Sequence, residues 1–398
     1  MKVRLDEVCD FINGGAWSQD EYSDSGIPVL KVSNLQKDSI DFTDIDFLPA
    51  ESLSKYSKNQ LLESDLVIAT VGSHPGMVNS AAGRAVTIPK AAAGYLLNQN
   101  AVCVRTANPK ILNQRYLTYV GKTYLFQHYI QQRGKGAANQ MRIAIEAIKD
   151  YEISLPPLPI QRSIAEALGR YDALIENYQR QIGLLEAMAQ EVYREWFVRG
   201  RCPYMQEQTK STKTKLKSFV EMNFGQSPSS EFYNENGEGL PFHQGVGTYG
   251  NRFPRHEMFC SVDGRISEEG DILFSVRAPV GRLNIADRKL IIGRGLASLR
   301  HKQGLNSFLF YLLQDTFSEE DLIGNGAIFA SVSKPELEEF EVLYPDVNLA
   351  ERFDDLAGRI DRKIMNLEKG ALLLRQMRDK LLPRLMSGQL EVTSQLEI

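Results

Sequence analysis

None of the 398 residues belongs to a run of about 18 apolar side chains, so no membrane-spanning helix is expected. The opening MKVRLDEVCDFINGG lacks the layout of a signal peptide, which points to a cytoplasmic chain. Only four cysteines occur (Cys9, Cys103, Cys202 and Cys260), with no C-x-x-C spacing; this excludes a disulfide framework and a zinc ribbon. The five histidines do not cluster either, and His256 with Cys260 has no second pair to complete a metal site. There is no N-P-P-Y or D-P-P-Y turn, with which amino-methyltransferases grip their target amine. FINGG at 11–15 lacks the strand–turn–helix context of a cofactor loop. Gly121-Lys-Thr123 ends like a P-loop, but Tyr116 stands where the earlier glycine is needed. No paired-carboxylate-plus-lysine nuclease pattern stands out. The chain is therefore read as non-catalytic, with no metal and no cofactor of its own.

What is present is a soluble composition, 43% hydrophobic and 24% charged, long enough for two or more domains. The net charge of −4 does not favour phosphate binding, although a local basic surface can coexist with acidic helices. The chain is also written twice. Pro156, Gly169, Arg170, Asp172, Ile175 and Asn177 match Pro345, Gly358, Arg359, Asp361, Ile364 and Asn366 at an offset of 189. Gly134, Gly136 and Ala137 match Gly324, Gly326 and Ala327 at 190, and Arg105 matches Arg300 at 195. Gly76-Met-Val-Asn79 matches Gly281-Arg-Leu-Asn284 at 205, Asp65 matches Asp271 at 206, and Gly26-Ile-Pro28 matches Gly239-Leu-Pro241 at 213. Collinear matches with a falling offset describe two related domains, the second with shorter loops.

After each domain the pattern turns helical. Ile164, Leu168, Tyr171, Ile175, Tyr178, Ile182, Leu185, Ala189, Val192 and Trp196 alternate steps of four and three, a heptad seam. The second seam reads Phe353, Ala357, Ile360, Ile364, Leu367, Ala371, Leu374, Leu381 and Leu385, interrupted by Arg378. Prolines 156, 157 and 159 open the first helix and Pro345 the second, while Pro383 and Gly388 kink and close it. The natural partner of one helix is the other, antiparallel. The resulting boundaries are a first domain at 1–155, helix at 156–200, a polar linker at 201–217, a second domain at 218–344, helix at 345–390 and a tail at 391–398.

Both domains are strand-rich, with helices expected at Asn113–Tyr129 and Asn306–Phe317. Their Gly-containing loops carry residue types that pair with base edges or hold phosphates. In the first copy these are Lys31, Ser33, Asn34, Ser73, His74, Arg133, Lys135, Asn139, Gln140 and Arg142. In the second they are Gln244, Tyr249, Asn251, Arg252, Arg255, Arg277, Arg282, Arg294 and Asn325. Lys210, Lys213, Lys215 and Lys217 in the linker are read as solvated.

The stretches LPPLPIQRSIAEAL, YDALIENYQRQIGLLE, REWFVRG and RIDRKIMNLEKGALLLRQMRDKLLPRLMSGQLEV resemble the specificity subunits of type I restriction–modification systems. Where such proteins usually read Pro-Pro-x-x-Glu-Gln, this chain has Ile160-Gln161. The resemblance implies an α+β chain: two α/β-type target-recognition domains separated by two long helices in an antiparallel coiled coil, an internal pseudo-two-fold repeat. It implies double-stranded DNA, two modification subunits and, in some systems, ATP-dependent restriction subunits as partners. S-adenosylmethionine and adenine methylation belong to the modification subunits. Two other classes compete, a self-sufficient methyltransferase–nuclease and a coiled-coil scaffold without DNA contact. The missing catalytic turn speaks against the first; the acidic balance is what favours the second. The seam from Ile164 to Trp196 amounts to about 50 Å of helix, which caps the separation of two half-sites near ~15 base pairs.

Replacing Ile175 and Ile182 with Asp would bury unpaired carboxylates at a cost of roughly 3–5 kcal/mol each. Loss of assembly with partner subunits is expected in size-exclusion chromatography. Normal assembly with an altered DNA preference would overturn the seam.

Overall fold

The computed structural model describes the chain apart from residues 1, 37–38, 74–79, 138–139, 204–210, 318–330 and 392–398. It separates into two compact units, Met1–Glu176 with Ala371–Ile398, and Asn177–Gly370. Each unit holds one strand-rich domain together with a segment of both long helices.

In the first unit a four-stranded antiparallel sheet runs in the order Cys9–Asn13, Ala101–Thr106, Leu66–Ala69 and Ala85–Thr87. Continuous apolar runs such as Leu66–Ala69 are buried on both faces. One face packs on Leu117, Val120 and Phe126, the other on Leu30, Leu35 and Leu61. The expected helix at Asn113–Tyr129 is two helices, Gln114–Lys122 and Tyr124–Gln131. Thr123 separates them in an extended conformation, its hydroxyl accepting from Phe126 N at 3.3 Å.

The second unit repeats the sheet order: Val220–Phe224, Leu296–His301, Ile272–Ser275 and Leu283–Ile285. The helix expected at Asn306–Phe317 spans Asn306–Thr316. In both units the first strand of the domain pairs with its last. Lys2–Arg4 pairs with Glu152–Ser154, and Thr212–Lys215 with Glu341–Tyr344. This corrects the linker, which does not reach 217: Thr212–Lys215 is a strand and Leu216–Phe219 a short helix. The Thr-Lys alternation looked like a linker because the strand is tied through its backbone rather than by buried apolar side chains. Lys215 and Lys217 are ion-paired to Glu339 rather than free in solvent.

The long helices are Leu158–Tyr193 and Val347–Met386, the latter running through Pro383. Gln161, wholly buried, ties the start of the first helix to its domain. Its amide nitrogen donates to Ile111 O and Pro156 O, and its carbonyl accepts from Asn113 N. Along the seam Ile164, Leu168, Ile175, Ile182, Ala189 and Trp196 are buried, and Tyr171, Tyr178, Leu185 and Val192 half-buried. On the second helix Phe353, Ala357, Ile360, Ile364, Leu367, Ala371 and Leu385 are buried, with Leu374 and Leu381 half-buried. Within the second unit Tyr178 lies against Gly370 while Trp196 meets Phe353 at 5.9 Å, so the helices run antiparallel there. A wide turn at Arg194–Val198, closed by Arg199 N donating to Arg194 O at 2.8 Å, ends the first helix. It packs both Trp196 and Phe197 against that core.

FINGG has a packing role. A Cβ on Gly14 would stand 1.8 Å from Asn98 O, and one on Gly225, in the same place of the second copy, 2.2 Å from Gly293 O. Gly14→Ala and Gly225→Ala should each cost about 2–3 kcal/mol or more, read as a lower Tm. An unchanged Tm would show that these strand ends can separate freely.

Candidate nucleic-acid interface

In the first unit two of the predicted loop clusters meet on one small sheet. Its strands are Lys135–Ala137, Gln140–Arg142 and Val71–Gly72, in that order. Met141 pairs with Gly72, which brings Ser73 beside the hairpin, and Lys135 stands directly opposite Arg142. Met141 and Ile143 are buried while Arg142, Lys135 and Arg133 are exposed. Like charges directly opposite on a strand pair repel, and neither has an ion-pair partner among the described residues. An anion between them would relieve that repulsion. Arg133 is held ready, its guanidinium 3.4 Å from the Tyr129 ring centroid and donating to Tyr129 O. His74, Asn139 and Gly76–Asn79 lie outside the described residues, as does the side chain of Gln140.

The Lys31 cluster is built differently. Lys31 is ion-paired to Asp46, and Ser33 is exposed. Asn34, only 3% exposed, donates to Asp41 O and Asp44 O and accepts from Lys31 N at 2.9 Å. It staples its own loop and is removed from the base-contact candidates.

In the second unit Gln244, Asn251, Arg255, Arg277, Arg282 and Arg294 are exposed. Arg277 and Arg282 flank a turn organised by Ser275, whose hydroxyl donates to Pro279 O and accepts from Arg282 N. Arg294 is fixed by its backbone N donating to Ser227 Oγ, beside a groove of about 380 Å³ lined by Gln226, Ser227, Pro228, Asp263, Gly264 and Arg265. Gln226 and Arg265 were missed by sequence reading; following the Gly14–Gly225 equivalence would have led to Gln226. Asn325 lies outside the described residues.

Two of the loop residues expected to face a nucleic acid, Tyr249 and Arg252, are turned inward instead. The Tyr249 ring packs on Leu273, Ala286 and Leu290 with its hydroxyl enclosed, so burial pushes that hydroxyl's pKa well up. Arg252 is 2% exposed and ion-paired to Asp361, with Tyr311 Oη at 3.0 Å and Glu186 at 3.8 Å. Its guanidinium also lies 4.2 Å from the Phe310 ring centroid. Neither side chain faces a base.

The buried charges explain the strongest repeat matches. Arg105 donates to Asp65 at 2.8 and 2.5 Å, and Arg300 to Asp271 at 2.6 Å. These matched arginines clamp one strand to the next. The matched carboxylates Asp172 and Asp361 each accept from a tyrosine of their own domain, Tyr119 at 2.7 Å and Tyr311 at 3.1 Å. Asp172 is completed by Arg378 at 2.7 Å, which is why a charge interrupts the second seam. Burial opposes the charge of Asp172, but Lys122, Arg378 and Tyr119 hold its pKa below the usual carboxylate value.

Beside Arg255, a part-buried chain runs from Thr248 through His243 and His256 to Asp287, with links of 2.7, 3.0 and 2.9 Å. Burial lowers the pKa of His243 to about 4, so that ring is neutral near pH 7, and its bond to Thr248 orders the loop after it. Among the described residues no three His, Cys, Asp or Glu side chains are grouped to hold a metal ion. No helix among them is long and apolar enough to cross a membrane.

The type I restriction modification DNA specificity domain matches this chain twice, at residues 1–187 and 209–367. The chain belongs to that family of specificity subunits. It is 27% identical to the putative type I restriction enzyme MjaX specificity subunit of Methanocaldococcus jannaschii, across 98% of this chain and 93% of that protein. The MjaIX specificity subunit of the same organism is 26% identical across 70% of this chain and 69% of its own length. The S subunit of a type I restriction–modification system from M. genitalium shares the fold, with a TM-score of 0.59 and 16% identity across 97% of this chain and 95% of that one.

Lys135→Gln with Arg142→Gln should weaken DNA binding by the assembled complex. It should also reduce the slope of log K against log salt by about 2, one unit for each lost phosphate contact. An unchanged slope would remove the hairpin from the interface.

Proposed function

We propose that this chain reads a bipartite, asymmetric DNA target and delivers modification subunits to it without catalysing either methylation or cleavage. The observation that carries the reading is one domain fold built twice with different exposed polar loops. The first copy offers the Arg133, Lys135 and Arg142 hairpin, the second the Arg277–Arg282 turn and the Arg294 groove. Two readers with unlike loops suit two unlike half-sites separated by a gap that neither touches.

The partners are assigned to the long helices. Leu174, Leu372, Leu373 and Met377 are exposed on the helix segments of the first unit, and Leu184, Met188 and Leu356 on those of the second. Apolar side chains in that number suit the docking of two methyltransferase subunits, which would bring S-adenosylmethionine and act on adenine. Where the system includes restriction subunits, they would join the same cytoplasmic complex.

The test is methylation-aware sequencing of a host carrying the complete complex. The expected motif has two different halves around a fixed gap, and exchanging residues 1–155 for the corresponding domain of a relative should change one half alone. The purified chain should transfer no labelled methyl group by itself. A continuous or palindromic motif, or a swap that changes both halves, would overturn the reading.

A further inference from the structure

Asp361 and Asp172 are matched residues of the repeat, yet the guanidinium that completes each comes from a different part of the chain. Asp172 receives Arg378, a residue of the second long helix. Asp361 receives Arg252, which lies in the loop between Tyr249 and Arg255. Ser307 Oγ donates to the other Asp361 oxygen at 2.6 Å, so both carboxylate oxygens are engaged. Glu186 adds a second negative group, 3.8 Å from Arg252 and on the first long helix.

The loop itself is pinned on both sides of Arg252. Asn284 Nδ2 donates to Gly250 O at 3.1 Å, Ile285 N to Arg252 O at 2.8 Å, and Arg255 N to Thr248 O at 2.8 Å. Neighbouring Asn251 and Arg255 are exposed. Arg252 thus points inward to the helices from a loop whose Asn251 and Arg255 side chains are exposed. A guanidinium suits this role because Nη2 donates to both Asp361 and Tyr311, Nη1 lies 3.8 Å from Glu186, and its planar face covers Phe310. Lys would supply the charge without the second nitrogen or the planar face.

We infer that Arg252 is a positioning residue for the second recognition domain: by anchoring the Tyr249–Arg255 loop to Asp361 it sets how that domain discriminates its half-site. The first half-site has no such dependence, since the matched carboxylate there is satisfied by a helix residue. This inference rests on the bipartite reading proposed above.

The experiment uses the full complex with its modification subunits and measures methylation on targets mismatched in one half-site at a time. Arg252→Lys, Arg252→Gln and the double variant Arg252→Met with Asp361→Asn are compared with wild type. The double variant removes both charges together and avoids a buried unpaired carboxylate. In assembled complexes, discrimination at the second half-site should fall at least tenfold while that at the first stays within about twofold. Arg252→Lys should retain more of it than Arg252→Gln. Equal relaxation at both half-sites, or full discrimination at the second in the double variant, overturns the inference. So does failure of the double variant to assemble, which would make Arg252 a folding residue alone. A wild-type complex without a two-part target would instead refute the bipartite reading, a separable result.

Discussion

Each strand-rich domain meets the long helices at one half-buried carboxylate, and the register between domain and helices depends on satisfying it. Asp172 and Asp361 sit on helices whose neighbouring faces are apolar, where an unpaired charge would cost several kcal/mol. Each must therefore find donors, and in both copies the first is a tyrosine from the domain's own helix. The hydrophobic seam supplies most of the burial but little direction, because one apolar contact resembles the next. The carboxylate supplies direction, since only one register brings the tyrosine and guanidinium to it.

The same reasoning explains why some of the molecule was legible in its sequence. The heptad steps from Ile164 to Trp196 and from Phe353 to Leu385 follow burial along both helices, because a stripe facing a partner must repeat at that period. The matches of Asp65 with Asp271 and of Arg105 with Arg300 were visible as identities, and the structure joins them as ion pairs. Arg378 was visible as a break in the seam; its partner Asp172 is 206 residues away and could not be read from spacing.

The loops were less legible for a physical reason. Asn34, Tyr249 and Arg252 have the residue types of a binding surface, yet Asn34 completes its own loop, Tyr249 packs on a neighbouring core and Arg252 reaches a long helix. Composition tells which groups need partners but not whether those partners are protein, water or nucleic acid. Thr212–Lys215 shows the converse. A polar tetrapeptide became a strand because its backbone, not its side chains, carries the pairing with Glu341–Tyr344.

That strand pair has a consequence for inheritance. The chain enters the second domain at Thr212 and leaves it at Tyr344, opposite one another on adjacent strands; Lys2–Arg4 and Glu152–Ser154 do the same for the first. Everything between the two ends is a closed excursion. A coding segment exchanged between those strands can lengthen or shorten its loops without moving the point where the chain re-enters the helix. The falling offset between the two copies is the trace of such freedom. Variation in the loops can thus accumulate inside a domain while the frame that carries it is inherited unchanged.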